Sequence, residues 1–167
     1  IVLLLMIAAL TALIFYFLFK NFLFPRIISI PQLSIEGYTE VIIGLNVTEN
    51  RGIVSLVGNC YELSMIISRD QAISLENGIN RIIGQRPNTH DLIKDMLKNL
   101  DAKILMIKII ELKDNAYHAR LLLRKDNLIL SLDSRPSDAL AIAARTEYNV
   151  PVYVKDDLLE NFGRKFC

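Results

Sequence analysis

Short runs of β-branched and aliphatic residues, parted by turn-forming pairs and triplets, fill residues 40–67 and 103–132. Connections that short leave no room for a crossover helix, so neighbouring strands must run antiparallel. Residues 40–47, 53–57 and 60–67 read as three strands, with turns at Asn50-Arg51-Gly52 and Gly58-Asn59. Residues 103–112, 116–123 and 128–132 read as three more, with Asp114-Asn115 and Lys125-Asp126-Asn127 between them.

Between the two strand groups the apolar period lengthens to that of a helix. Ala72, Ile73, Leu75, Ile79, Ile82 and Ile83 predict a helix over 70–83, weakened by Gly78 and capped by Gly84. Thr89 is the expected N-cap of a second helix over 90–100, whose apolar face is Leu92, Ile93, Met96, Leu97 and Leu100. A third begins at Pro136, where a missing N–H is no loss, and runs to about residue 147. A short strand at 151–154 and a helical turn or two at 156–162 complete the pattern. This order excludes an alternating Rossmann arrangement and predicts an α+β fold, a compact single domain of mostly antiparallel strands with about three helices. Leu63-Ser64 leads through Ser68-Arg69 to Ala72 much as Leu130-Ser131 leads through Ser134-Arg135 to Ala139, an echo too short to separate duplication from chance.

Residues 1–19 carry no charge, and nineteen helical residues at ~1.5 Å each reach about 28 Å, close to a bilayer core. A secretory signal would have a shorter apolar region and a small-residue cleavage site, where this stretch has Phe15, Tyr16, Phe17 and Phe19. The expectation is a transmembrane helix over 1–19, a linker over 20–33 punctuated by Pro25 and Pro31, and the α+β domain over 34–167. Lys20 and Arg26 place that domain on the cytoplasmic side of a single-pass membrane protein. The net charge of +1 shows no general attraction to nucleic acid, so any such binding needs a local basic patch. Cys60 and Cys167 have no metal-ligand spacing and suggest no disulfide framework; Cys60 reads as a buried strand residue.

Chemistry-bearing residues gather at two helix entrances, Arg86-Pro87-Asn88-Thr89-His90-Asp91 and Asp133-Ser134-Arg135-Pro136-Ser137-Asp138. Free N–H groups at a helix start bind phosphate, and arginines beside them add paired donors. Aspartates can hold Mg²⁺ or Mn²⁺, and His90 can move a proton near neutral pH. Each residue also has a plain structural role: Thr89, Ser134 and Ser137 as caps, Asp91 and Asp138 as complements to the helix dipole, Asp133 in a turn, and Arg120 and His118 on a solvent-facing strand.

Together with Tyr117-His118-Ala119-Arg120-Leu121 and Pro151-Val152-Tyr153-Val154, these entrances resemble the bifunctional nuclease (BFN) domain family over roughly residues 36–162, the Ser-Arg-Pro-Ser-Asp-Ala stretch most specifically. The resemblance implies a compact α+β fold and a nuclease acting on DNA and RNA. One stretch departs from the family pattern: Ser68 stands in place of a glycine and Gln71 in place of a glutamate. The leading expectation is a membrane-tethered, metal-assisted phosphodiester hydrolase. Asp91, Asp133 and Asp138 would hold the Mg²⁺ or Mn²⁺, Arg86, Arg120, Arg135 and Ser137 the phosphate, and His90, with Asp91 and Asp138, would carry the chemistry. A non-catalytic module binding an anion or a protein, or a structural subunit of a membrane complex, is the alternative. A single site requires both entrances on one side, with His90 or Asp91 within ~12 Å of Asp138 or Arg135.

Overall fold

The computed structural model describes residues 6, 10–13, 15, 16 and 31–167. The chain divides into two units, 1–31 and 32–167. In the first, the described residues 6, 10–13, 15 and 16 are helical; the rest of the expected 1–19 anchor, and the linker through residue 30, lie outside the described residues. The expected membrane span and single-pass localisation are corrected here. Among the described residues no helix is long and apolar enough to cross a membrane. The longest helices described in the second unit have 11 residues, whereas a span needs about twenty.

In the second unit, β1 (Tyr38–Glu40) and β2 (Ile42–Val47) belong to different sheets. The single strand expected over 40–47 breaks at Val41, whose buried side chain enters the core while its N–H donates to the Val152 carbonyl at 2.9 Å. β2, β3 (Arg51–Gly58), β4 (Tyr61–Ser68) and the two-residue β9 (Arg164–Lys165) form one antiparallel sheet in that order. The other sheet has the order β1-β8-β5-β6-β7, with β5 (Lys103–Lys113), β6 (Ala116–Lys125), β7 (Leu128–Ser134) and β8 (Val152–Lys155). Its β5–β8 pair is parallel and the other pairings are antiparallel. The hairpins turn through left-handed residues: Asn59 and Cys60, Asp114 and Asn115, and Asp126. That is the backbone a two-residue loop needs to match strand twist.

Cys60 is therefore a turn residue, exposed, and not a buried strand position. It is bonded to Cys167 with a Cα–Cα distance of 5.3 Å. β9 brings the two together: Phe166 N–H donates to the Cys60 carbonyl at 3.0 Å, and Arg164 pairs with Glu62 at 2.5 Å.

Four α-helices lie in the second unit: α1 (Arg69–Ile79), α2 (Thr89–Asn99), α3 (Pro136–Ala143) and α4 (Asp156–Phe162). α1 ends four residues before the expected 83. Arg81 adopts φ 55°, and Ile82 N–H and Arg81 N–H bond back to Asn77 and Gly78 carbonyls at 2.8 and 3.2 Å. This closing turn satisfies the last carbonyls without Gly84 and leaves Ile82 and Ile83 exposed. One core joins all layers: Val54, Leu56 and Leu63 from one sheet, Ile107, Ile109 and Leu121 from the other, and Leu75, Leu140 and Leu159 from α1, α3 and α4.

Gly78 is where α1 meets the C-terminal end of α3. A Cβ there would sit 2.7 Å from Arg145 Nη1, 3.1 Å from Ala144 Cβ and 3.3 Å from the Ala141 carbonyl oxygen. Helix propensity alone would have Gly78→Ala stabilise by about 1 kcal/mol. The expected result is instead a loss of about 1–3 kcal/mol from overpacking, read as a lower urea midpoint. An increase would show that Arg145 moves aside freely.

Candidate functional site

The starts of α1, α2 and α3 converge on one open cleft of about 340 Å³, lined by Asp70 and Gln71, by Thr89 and His90, and by Arg135 and Asp138. Each start is built by local rules. At α1, Ser68 Oγ accepts from Gln71 N–H at 3.3 Å and Gln71 Oε1 accepts from Ser68 N–H at 3.0 Å, a reciprocal capping box. Ser68 and Gln71, the two departures from the family pattern, thus form a complete cap. At α2 the cap is Asn88, not Thr89. Asn88 Oδ1 accepts from His90 and Asp91 N–H at 2.9 and 3.1 Å, and Asp91 Oδ2 accepts from Asn88 N–H at 2.8 Å. At α3, Pro136 takes the first turn without a side-chain cap. There Arg135 Nε and Nη2 donate to the two oxygens of Asp138 at 2.7 and 3.2 Å.

The two Arg-Pro entrances do meet. His90 Nε2 lies 3.5 Å from Asp138 Oδ1. The other ring nitrogen, Nδ1, lies 2.9 Å from Ser74 Oγ on α1. His90, Arg135 and Asp138 are therefore brought together, and Arg135, with 70% of its side chain exposed, faces solvent.

The remaining expected site residues are elsewhere. Asp91 is buried, and its Oδ1 takes a 2.5 Å bond from Arg145 Nε. Burial pushes the Asp91 carboxyl up, but the Asn88 N–H and the Arg145 guanidinium outweigh it and hold the pKa below the ordinary value. Asp133 stands on β7 opposite Arg120 on β6, 3.9 Å apart and both partly exposed, and neither lines the cleft. Ser137 is only 4% exposed and is closed to a phosphate. Arg86 is exposed, does not line the cleft, and forms no ion pair among the described residues. The expected metal trio Asp91, Asp133 and Asp138 is not brought together: Asp91 is held in a buried ion pair with Arg145, Asp133 lies on the edge strand β7, and Asp138 faces the cleft.

Three residues that shape the site, Arg145, Ser74 and Asn88, are given no functional role by the sequence reading. Arg145 is 95% removed from solvent by side chain, and its Nη1 donates to the Ser74 and Ala141 carbonyls at 2.9 and 2.7 Å. Its Nη2 donates to Ser74 Oγ at 3.3 Å, which also accepts from Asn88 Nδ2 at 3.2 Å. A signal for Arg145 does exist: it follows Asp138 by seven residues, two helical turns along the same face. Asn88 was open to detection too, since Asn caps at least as well as Thr. Ser74 has no such mark.

A model of the bifunctional nuclease domain matches residues 56–166. Among curated proteins, an uncharacterised protein of Mycobacterium tuberculosis is 33% identical over 96 residues, covering 58% of this chain and 54% of that protein. Bifunctional nuclease 1 of rice (Oryza sativa subsp. japonica) is 31% identical over 111 residues, covering 65% of this chain and 33% of that protein. The chain spans about half the length of the mycobacterial relative and about a third of the rice protein.

Proposed function

Because the chain belongs to the bifunctional nuclease domain family, we propose that its three-helix cleft binds a nucleic-acid phosphodiester, in DNA or RNA, and promotes its hydrolysis. The observation that carries this is the convergence of three helix starts around His90, Arg135 and Asp138. Helix starts present positive potential to a phosphate, and the α3 start carries no side-chain cap. Arg135 gives Nε and one Nη2 proton to Asp138 and keeps its Nη1 side for a phosphate oxygen. In hydrolysis, water adds to phosphorus, the P–O bond breaks, and a proton passes from the water to the departing oxygen. His90 and Asp138 stand side by side where a hydrogen-bond donor and a proton acceptor are needed. The name carried by the rice relatives agrees with this substrate class.

A divalent ion held by the aspartates does not fit these residues. Among the described residues no group of three or more His, Cys, Asp or Glu could hold one.

The test is cleavage of single- and double-stranded DNA and RNA by the whole chain, with chelator and with added Mg²⁺ or Mn²⁺. Asp138→Asn keeps the size of the side chain and removes its charge. It is expected to lower cleavage about tenfold or more, the worth of a charge-assisted contact, at an unchanged unfolding midpoint. Equal cleavage by wild type and Asp138→Asn would sink the assignment. Cleavage by neither, with tight binding of oligonucleotide, would make the cleft a non-catalytic anion site.

A further inference from the structure

We infer that a buried chain of hydrogen bonds, Asp91–Arg145–Ser74, positions His90 so that its Nδ1 accepts from Ser74 and its Nε2–H points into the cleft. The inference rests on the hydrolase reading only for its use, since the bonding pattern stands by itself.

The argument is a count of lone pairs and protons. Ser74 Oγ has one proton and two lone pairs. Arg145 Nη2, at 3.3 Å, can only donate. Asn88 Nδ2, at 3.2 Å, also donates, and the orientation of its amide is fixed by the cap, because Asn88 Oδ1 is the atom that accepts from His90 and Asp91 N–H. Both lone pairs of Ser74 are thereby taken. Its proton is left for His90 Nδ1 at 2.9 Å. An imidazole that accepts at Nδ1 and is neutral carries its proton on Nε2.

Nε2 lies 3.5 Å from Asp138 Oδ1, longer than a good N–H···O bond. Its proton is directed at the cleft without being consumed there. A phosphate oxygen entering between them would receive a hydrogen bond from His90 on one side, with Asp138 ready to accept a proton on the other. Taking up a second proton at Nδ1 would force Ser74 to release Asn88 or Arg145. His90 is then a fixed hydrogen-bond donor to the reacting group, not the acid or base expected from its residue type. Asp91, Arg145 and Ser74 are positioning residues. Asp91 holds the guanidinium at 2.5 Å, and the guanidinium holds both the carbonyl and the hydroxyl of Ser74.

The test is the nitrogen spectrum of the imidazole in the ¹⁵N-labelled whole chain at alkaline pH, with two-bond proton–nitrogen correlations. The sequence has two histidines, so His118→Gln assigns the signals. Wild-type His90 is expected to show the full separation between a protonated Nε2 and a bare Nδ1. In Ser74→Ala and in Asp91→Asn the two resonances should move toward each other as the tautomers mix. Ser74→Ala removes only a hydroxyl and serves if Asp91→Asn does not fold. A protonated Nδ1 in the wild type, or resonances that do not move in Ser74→Ala, would overturn the inference. Neither result depends on cleavage, so a chain that cuts nothing but shows the locked tautomer refutes the hydrolase reading and leaves the positioning chain intact.

Discussion

Arg145→Met is expected to cost about 3–5 kcal/mol of folding stability, the usual penalty for leaving a buried charge without its partner. The Arg145 side chain is 5% exposed and that of Asp91 12%, so water cannot replace the lost guanidinium. Methionine fills much of the stem's space, which isolates the charge from the packing. The cost should also depend on pH. In the wild type the Asp91 carboxyl titrates below its ordinary value. Its stabilisation is therefore fully present above about pH 4, the unfolded value, and is lost as pH falls through the lower folded value. In Arg145→Met the burial term is unopposed by the guanidinium, so protonation of Asp91 relieves the variant. The gap between the two proteins should shrink as the pH is lowered through the variant's Asp91 value toward the wild type's lower one. Urea unfolding at neutral and acid pH measures both quantities. A neutral-pH difference under about 1 kcal/mol would show that Asp91 reaches solvent. Adding Asp91→Asn to Arg145→Met should recover part of the loss, because the neutral amide can still serve the Asn88 cap.

The second large effect is on cleavage. His90→Ala is expected to lower the rate by about 10²–10³-fold, the cost of removing one preorganised donor to a developing charge. His90→Gln is the informative companion. A glutamine amide can place an N–H close to where Nε2–H stood but cannot take a proton near neutral pH. A fixed-donor role predicts that His90→Gln keeps activity within about tenfold of wild type. An acid–base role predicts that it falls as far as His90→Ala. Rates on one oligonucleotide at saturating concentration separate the two, and circular dichroism of both variants checks the fold. Loss in both variants would return His90 to proton transfer.

Much of this arrangement is legible in the chain. The hairpin at Asp114-Asn115 follows from two residues that tolerate left-handed backbone, and the meeting of the two Arg-Pro entrances from their matching layout. The misreadings have specific physical origins. The aliphatic run at 40–47 gives no sign that the chain changes sheets at Val41, because both halves want the same strand conformation. Asp91 looks like a ligand because it begins a helix beside His90. What buries it is Arg145, 54 residues away, and an arginine near a helix end ordinarily reads as solvent-facing. Gly78 looks like a flaw in a helix, while its missing side chain is the space the guanidinium occupies. The cysteine pair was hidden because β9, which aligns it, is two residues long and carries no pattern. In each case a local preference was read correctly and a distant partner decided its use.

The bond between Cys60 and Cys167 closes a ring that contains every residue of the cleft, from Asp70 to Asp138. Its covalent topology is then that of a loop and not a line. A protease cut in the exposed stretch 80–89 would leave both pieces in one molecule of unchanged mass apart from a single added water. α1 would lie on one side of the cut and α2 and α3 on the other, and the helix starts would remain tethered through residues 60 and 167. Backbone continuity through that stretch is consequently dispensable for holding the cleft's parts together, and new chain ends could be opened there while residue 167 stays joined to residue 60.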